Sequence, residues 1–240
     1  MAPGFTAELV EEGDPVIGQE LIRVHHADGR IQELRLHDYD ELYALPGVYE
    51  QIVQDRLGCR SPAEVAGLLA RAVDGLGWSR EAARVVDIAA GNGVSGEELV
   101  AAGLHPVLGS DLVPAARTAA LRDRPDVYDD YLTLDLLGLT DAERGAIRGL
   151  GANVLCCVAP VGDHAVPAPA LAATAALLEP DALVAYLHDV DLVDADPVTA
   201  EVWGAGVRAE ELERRRYVHR RTVRGAPYHM EAVVWRVRRP

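Results

Sequence analysis

The chain predicts an α/β fold: a doubly wound, mostly parallel seven-stranded sheet with helices on both faces, a C-terminal antiparallel hairpin, and a small N-terminal hairpin with a helical lid. Three observations predict it. From residue 84 onward, apolar strand-like runs alternate with helical segments. The first run ends in an acid and a glycine turn, residues 85–96 reading VVDIAAGNGVSG. The last two runs face each other across a turn instead of a helix. Alternation of strands and helices requires right-handed crossovers and a parallel sheet covered on both sides, whereas two adjacent strands joined by a turn must run antiparallel.

Residues 22–26 and 31–36 flank Asp28-Gly29 and read as a hairpin. Segment 37–57, HDYDELYALPGVYEQIVQDRL, places aromatic and acidic residues at helical spacing and breaks at Pro46-Gly47. Ser61-Pro62-Ala63-Glu64 opens a helix with proline in its first turn, and this helix runs to Leu76 and stops at Gly77. The alternation that follows assigns strands to 85–88, 107–109, 132–134, 154–158 and 183–188, with helices at 96–102, 114–122, 141–148, 168–178 and 197–214. Strands 216–223 and 229–237 surround Gly225-Ala226-Pro227 and complete the sheet edge. Residues 1–80 thus form the hairpin and lid, packed as part of the same domain as 81–240, and neither internal repeats nor low-complexity segments interrupt them.

The chain has 240 residues, of which 49% are hydrophobic and 25% charged, enough to bury one substantial core. Its net charge of −15 argues against a non-specific grip on nucleic acid or on an anionic membrane, since both require positive potential. From Arg208 to Pro240, ten arginines against four glutamates give about +6, which reads as a solvated edge protected by charge. The sequence contains no lysine, excluding Schiff-base chemistry. Cys59, Cys156 and Cys157 form no disulfide framework and read as reduced core thiols. The N-terminus carries no basic-then-apolar leader, and prolines 167, 169 and 180 cut the longest apolar run, so a cytoplasmic location is expected.

An apolar strand, an acid and a Gly91-Asn92-Gly93 turn leading into a helix form a nucleotide-binding corner, because glycine lets the backbone approach a ligand where a Cβ would collide. Through VVDIAAGNG and the acids beyond it, residues 84–240 resemble the class I S-adenosylmethionine-dependent methyltransferases. The resemblance implies that Asp87 orients the methionine amino group, while Ala89, Gly91, Asn92 and Gly93 shape the turn beneath the cofactor. Many members have glycine where Ala89 stands, and a methyl group is tolerated there if φ is negative. Asp111, 18 residues after Gly93 and ending PVLGSD, would accept both hydrogen bonds of the ribose diol, with Leu112 packing on the adenine. Asp135, ending YLTLD, would take the adenine amino proton, with Leu136 as its apolar companion. Ala159 marks where the backbone meets the cofactor, although the family's polar signature after that strand is absent.

Two alternatives share these letters. Residues 91–96 also satisfy GxGxxG, and Asp111 stands at the spacing of an NAD ribose acid, which would make the chain an NAD(P)-dependent oxidoreductase. Asp87 weighs against it, because a pyrophosphate is repelled by a carboxylate ending the first strand whereas a sulfonium is not. A non-catalytic cofactor-binding protein is the other alternative, favoured by Ala89 and by Leu-Glu-Pro-Asp-Ala at 178–182, where relatives often carry Pro-Gly-Gly.

Methyl transfer is an in-line displacement that requires an acceptor held beside the methyl carbon and an outlet for its proton. His164, tuned by Asp163 in the loop after the fourth main-sheet strand, is the expected general base. His188, followed by Asp189, lies at the expected pocket rim. Tyr39 and Tyr43 share a helix face at i,i+4 and, with Tyr49, supply flat area and hydroxyls to the acceptor. His37, Asp38, Asp40 and Glu41 match no ligand spacing, so no metal is expected. The expected activity is methylation of an oxygen or nitrogen of a small organic molecule in a bacterial biosynthetic setting, with neither nucleic acid nor membrane as partner and with a homodimer compatible.

Overall fold

The computed structural model describes residues 4–11, 15–162 and 165–240. Strands β1 (Phe5–Leu9), β2 (Leu21–His26) and β3 (Ile31–Arg35) form an antiparallel sheet in that order. The hairpin turn falls at Asp28-Gly29 as the sequence predicts, with Gly29 at φ +85°. Strand β1 is an addition to the expected pair. Its five residues alternate strictly, burying Ala7 and Leu9, a run too short to stand out without the neighbour that covers it. Helix α1 (Tyr39–Ala44) and a π-helical segment, Glu50–Arg56, follow on either side of the Pro46-Gly47 break. Leu42, Val48, Ile52 and Leu57 from this lid join Ile22, Val24 and Leu34 in an apolar cluster of their own.

Helix α2 (Ser61–Gly75) stops before Gly77, at φ +68°, and packs on the main sheet. Then come β4 (Arg84–Ile88), α3 (Val94–Ala101), β5 (His105–Asp111), α4 (Pro114–Asp123), β6 (Asp130–Thr133), α5 (Asp141–Gly149), β7 (Val154–Pro160), α6 (Ala168–Ala175), β8 (Asp181–His188), β9 (Arg208–Arg221) and β10 (Pro227–Arg238). The seven-stranded order is β6-β5-β4-β7-β8-β10-β9, parallel except for β10, which runs antiparallel to both neighbours. Strand alternation fixes the layers. Val85 and Cys156 face α2 and α3, while Val86, Ile88, Leu155 and Cys157 face the side covered by α5 and α6. Cys156 and Cys157 are thus buried free thiols, one on each face.

The expected helix over 197–214 is not formed. Only a 3₁₀ turn, Ala200–Trp203, is present, and Gly204 and Gly206, at φ +91° and +80°, end it before β9 begins at Arg208. The Glu/Arg-rich run has good helical propensity, but twelve residues of β9 pair with the apolar β10 and that pairing overrides it. Most of β9 is exposed, so its alternating charges blunt an open sheet edge.

Chain order reverses at β4, with β5 and β6 on one side and β7 and β8 on the other. In open α/β sheets the ligand crevice lies at such a switch point, outside the carboxyl ends of the strands. The N-terminal unit closes over that end through backbone bonds from Arg60 N to His219 O (2.9 Å) and from Arg221 N to Leu57 O (2.7 Å). Among the described residues no helix is long and apolar enough to cross a membrane.

Candidate functional site

A cavity of about 850 Å³ occupies the crevice, walled by the ends of β4, β5, β7 and β8, roofed by the lid and closed laterally by the β9–β10 hairpin. Its size suits a site that encloses small molecules. At one end lies the glycine corner. Gly91 and Gly93 adopt φ +56° and +87°, and Gly93 leads into α3. Asp111 ties the corner to the neighbouring loop: Oδ2 accepts from Gly91 N and Oδ1 from Val113 N, both at 2.9 Å. Burial raises its pKa and the backbone donors oppose that rise. Each oxygen keeps lone-pair capacity for a further donor. Leu112 and Leu137 line the same region with 67% and 64% of their surface bare, beside Asp135 and Leu136. Asp135 Oδ1 accepts from Leu137 N at 3.0 Å. Ala159 and Pro160 supply the opposite wall.

Asn92 lines the cavity and also braces the corner. Its Nδ2 donates to Glu50 Oε1 (2.9 Å), and Arg124 donates to both that oxygen (2.9 Å) and Asn92 O (3.1 Å), so lid and turn are locked together. Ala89 adopts φ +50°, contrary to the negative φ under which its methyl would be unstrained. A left-handed L-residue costs roughly 1–2 kcal/mol. Ala89→Gly is therefore expected to raise the unfolding free energy by about 1 kcal/mol, read as a higher urea midpoint at unchanged slope.

Asp87 also departs from expectation. Alternation along β4 turns it towards α3, beneath the corner and fully buried, so it does not line the cavity. Its Oδ2 accepts from Ser95 Oγ (2.6 Å) and Tyr128 Oη (2.7 Å), and desolvation lifts its pKa to about 6. Ser95 lines the cavity, and the other carboxylate oxygen of Asp87, Oδ1, is buried without a partner. The tyrosines that hold this region, Tyr128 and Tyr131, fit only because Gly96 and Gly109 lack side chains, since a Cβ there would lie 2.3 and 2.6 Å from their rings.

Tyr39, Tyr43 and Tyr49 all reach the cavity. Tyr39 and Tyr43 stack at 5.6 Å and Tyr49 meets Tyr43 at 5.2 Å. Tyr43 Oη lies 2.6 Å from where a Gly91 Cβ would stand, so the lid rests on the glycine turn. Burial pushes the Tyr39 phenol up to about 12 and Tyr43 and Tyr49 in the same direction, keeping all three neutral. His188 is the mirror case of Asp87. Alternation places Leu187 and Asp189 on the cavity while His188 turns away, with Nε2 3.1 Å from Val193 O. Asp163 and His164 lie outside the described residues.

The other end of the cavity holds groups that sequence reasoning passed over. His219 and Arg220, near the end of β9, face it together with Tyr228 of β10 and Ser61 of α2. Ser61 Oγ lies 2.6 Å from His219 Nδ1 and 2.5 Å from Tyr217 Oη. Burial and the neighbouring Arg220 cation push the His219 pKa down to about 3, so the ring is neutral. Arg220 Nη2 donates to Glu20 Oε1 at 2.6 Å, and Tyr228 Oη donates to Asp189. The sole local signal was the unlike pair His219-Arg220 within an otherwise charged edge strand. No group of acidic, histidine and cysteine side chains suited to a metal occurs among the described residues.

No protein-family model and no curated protein matches the chain. Solved structures do. An S-adenosylmethionine-dependent methyltransferase from Anabaena variabilis matches over 83% of this chain and 93% of its own, at 16% identity and a TM-score of 0.54. A candidate RNA methyltransferase from Pyrococcus horikoshii matches over 75% and 87%, at 16% identity and a TM-score of 0.50. The likeness lies in the architecture of sheet and crossovers, as the strand order requires. The chain has the class I fold of the S-adenosylmethionine-dependent methyltransferases.

Proposed function

We propose that the protein transfers the methyl group of S-adenosylmethionine to an oxygen or nitrogen of a small organic molecule. One observation carries the reading: a carboxylate with spare acceptor capacity, Asp111, bonded to the glycine turn and flanked by bare leucines that line the same cavity. These residues fit an adenosine, since a diol needs a double acceptor and a purine needs flat apolar walls. Asp111 would hold the ribose, Leu112, Asp135 and Leu136 the base, and the backbone of residues 89–91 the methionine end. When bound, the cofactor supplies an electrophilic methyl carbon on a positively charged sulfur.

The chain's own residues do the rest. The lid, fastened by Glu50, Asn92 and Arg124, excludes water. Its neutral tyrosines would shape a pocket for the acceptor between the glycine corner and the hairpin. The enclosed cavity and the charge of −15 favour a small molecule over a nucleic acid.

Calorimetric titration with S-adenosylhomocysteine is expected to give one site per chain. Asp111→Ala should weaken it about 10- to 100-fold with the fold intact by circular dichroism, the loss of a hydrogen bond to a charged group being worth about 1.5–3 kcal/mol. A melting temperature raised by NADH and unmoved by S-adenosylhomocysteine would instead establish a dinucleotide site.

A further inference from the structure

We propose that the hairpin end of the cavity is a subsite for an uncharged, planar aromatic alcohol whose hydroxyl hydrogen-bonds to Nε2 of His219. Its role as the methyl acceptor rests on the function proposed above, whereas its chemistry stands on the pocket alone. His219 is a fixed, aimed ring. Nδ1 is engaged by the buried Ser61, itself bonded to Tyr217, with Cys59 Sγ 3.8 Å away, and the ring packs edge-on against Tyr228 at 5.8 Å; Nε2 makes no hydrogen bond among the described residues, and the ring lines the cavity. Burial keeps the imidazole neutral, so it carries no charge for an anion to meet. The surrounding wall is aromatic and aliphatic: Tyr39, Tyr49, Val53, Val158 and Met230. Flat side chains at this density favour a flat ligand.

Arg220 is paired with Glu20, and the two oxygens of Asp189 accept from Tyr228 Oη and Leu192 N. A carboxylate entering here would shed its hydration and find Arg220 already paired, and an ammonium would meet that cation while both Asp189 oxygens are engaged, which is costly in a buried site. A hydroxyl needs only one acceptor and one donor. Gln54, on the same wall, carries a buried amide oxygen with no partner, a second polar contact that a hydroxylated ligand would satisfy.

In the transfer, the acceptor oxygen forms its bond to the methyl carbon as the carbon–sulfur bond breaks, with that electron pair left on sulfur. The hydroxyl proton, oriented by its hydrogen bond to the neutral ring of His219, is released to water as the product leaves.

Three isosteric probes test the subsite by calorimetry at pH 7: 2-naphthol, 2-naphthoate and protonated 2-naphthylmethylamine, each titrated into the protein with and without saturating S-adenosylhomocysteine. 2-Naphthol is expected to bind at least tenfold tighter than either ion. His219→Asn removes Nε2 and keeps an amide where Nδ1 bonds Ser61. It should weaken 2-naphthol at least tenfold and leave S-adenosylhomocysteine within twofold. Gln54→Leu, which disturbs no hydrogen bond of the fold, should weaken 2-naphthol severalfold. Either ion binding as tightly as 2-naphthol, or His219→Asn leaving the 2-naphthol affinity unchanged, overturns the proposal. Failure of S-adenosylhomocysteine to bind refutes the cofactor reading alone, because 2-naphthol with the free protein still decides the subsite.

Discussion

Arg220→Met is expected to lower the unfolding free energy by about 3–5 kcal/mol, the cost of leaving a buried charge without its partner. Glu20 is 1% exposed and Arg220 4%, and their contact at 2.6 Å joins the segment before β2 to the end of β9. Glu20 has no reserve, because its second oxygen is buried and unpartnered even with the arginine in place. Losing Arg220 therefore strands a carboxylate in an apolar wall, and the ties that remain between lid and hairpin include two backbone bonds, the contacts around Ser61 and the packing of Val223 on the lid cluster. Urea denaturation at pH 7 measures the loss. Glu20→Met combined with Arg220→Met should recover most of it, since an apolar pair of similar volume is often as stable as the ion pair it replaces. A single substitution costing under about 1 kcal/mol would mean that the pair contributes little to holding the lid.

Acidification gives the second large effect, through two groups that pull in opposite directions. His219 titrates near 3 in the folded protein against an ordinary 6.5, so the unfolded chain takes up the proton first and stability present above pH 6.5 is lost as pH falls towards 3. Asp87 titrates near 6 against 3.8, so the folded protein takes up its proton first and gains stability as pH falls from 6 to 3.8. At a limiting slope of about 1.4 kcal/mol per pH unit, each group moves stability by about 2 kcal/mol between pH 6 and pH 4, with opposite sign. Relative to the unaltered protein over that interval, His219→Asn should lose about 2 kcal/mol less and Asp87→Asn about 2 kcal/mol more. Denaturation midpoints at pH 7, 6, 5 and 4 measure this, and parallel curves for all three proteins would contradict the buried environments of both residues.

What the sequence made legible was local. The glycine turn, the strand-end acids Asp111 and Asp135 and the lid tyrosines can be read because backbone conformation, chain punctuation and helical spacing are set within a few residues. Asp87 and His188 were misplaced for a shared reason: being at the end of a strand says nothing about which face the side chain takes, and a shift of one position reverses it. Residues 197–214 were misread because glutamate and arginine suit a helix until an apolar strand offers a partner. His219 and Arg220 carried no local signature beyond their unlike pairing in a charged strand, and Ser61 read only as the start of a helix. Their chemistry arises where β9, the start of α2 and the segment before β2 converge, and sequence distances of 158 and 200 residues separate the bonded pairs.

Those separations bear on how the molecule assembles. Closing a loop that long is slow and entropically costly, so the parallel core around β4 is expected to consolidate before the hairpin arrives and docks the early segment. A chain emerging from the ribosome would thus present its glycine corner while the chamber beside it still lacks a wall. Only the final strands complete the wall at the hairpin end of the cavity.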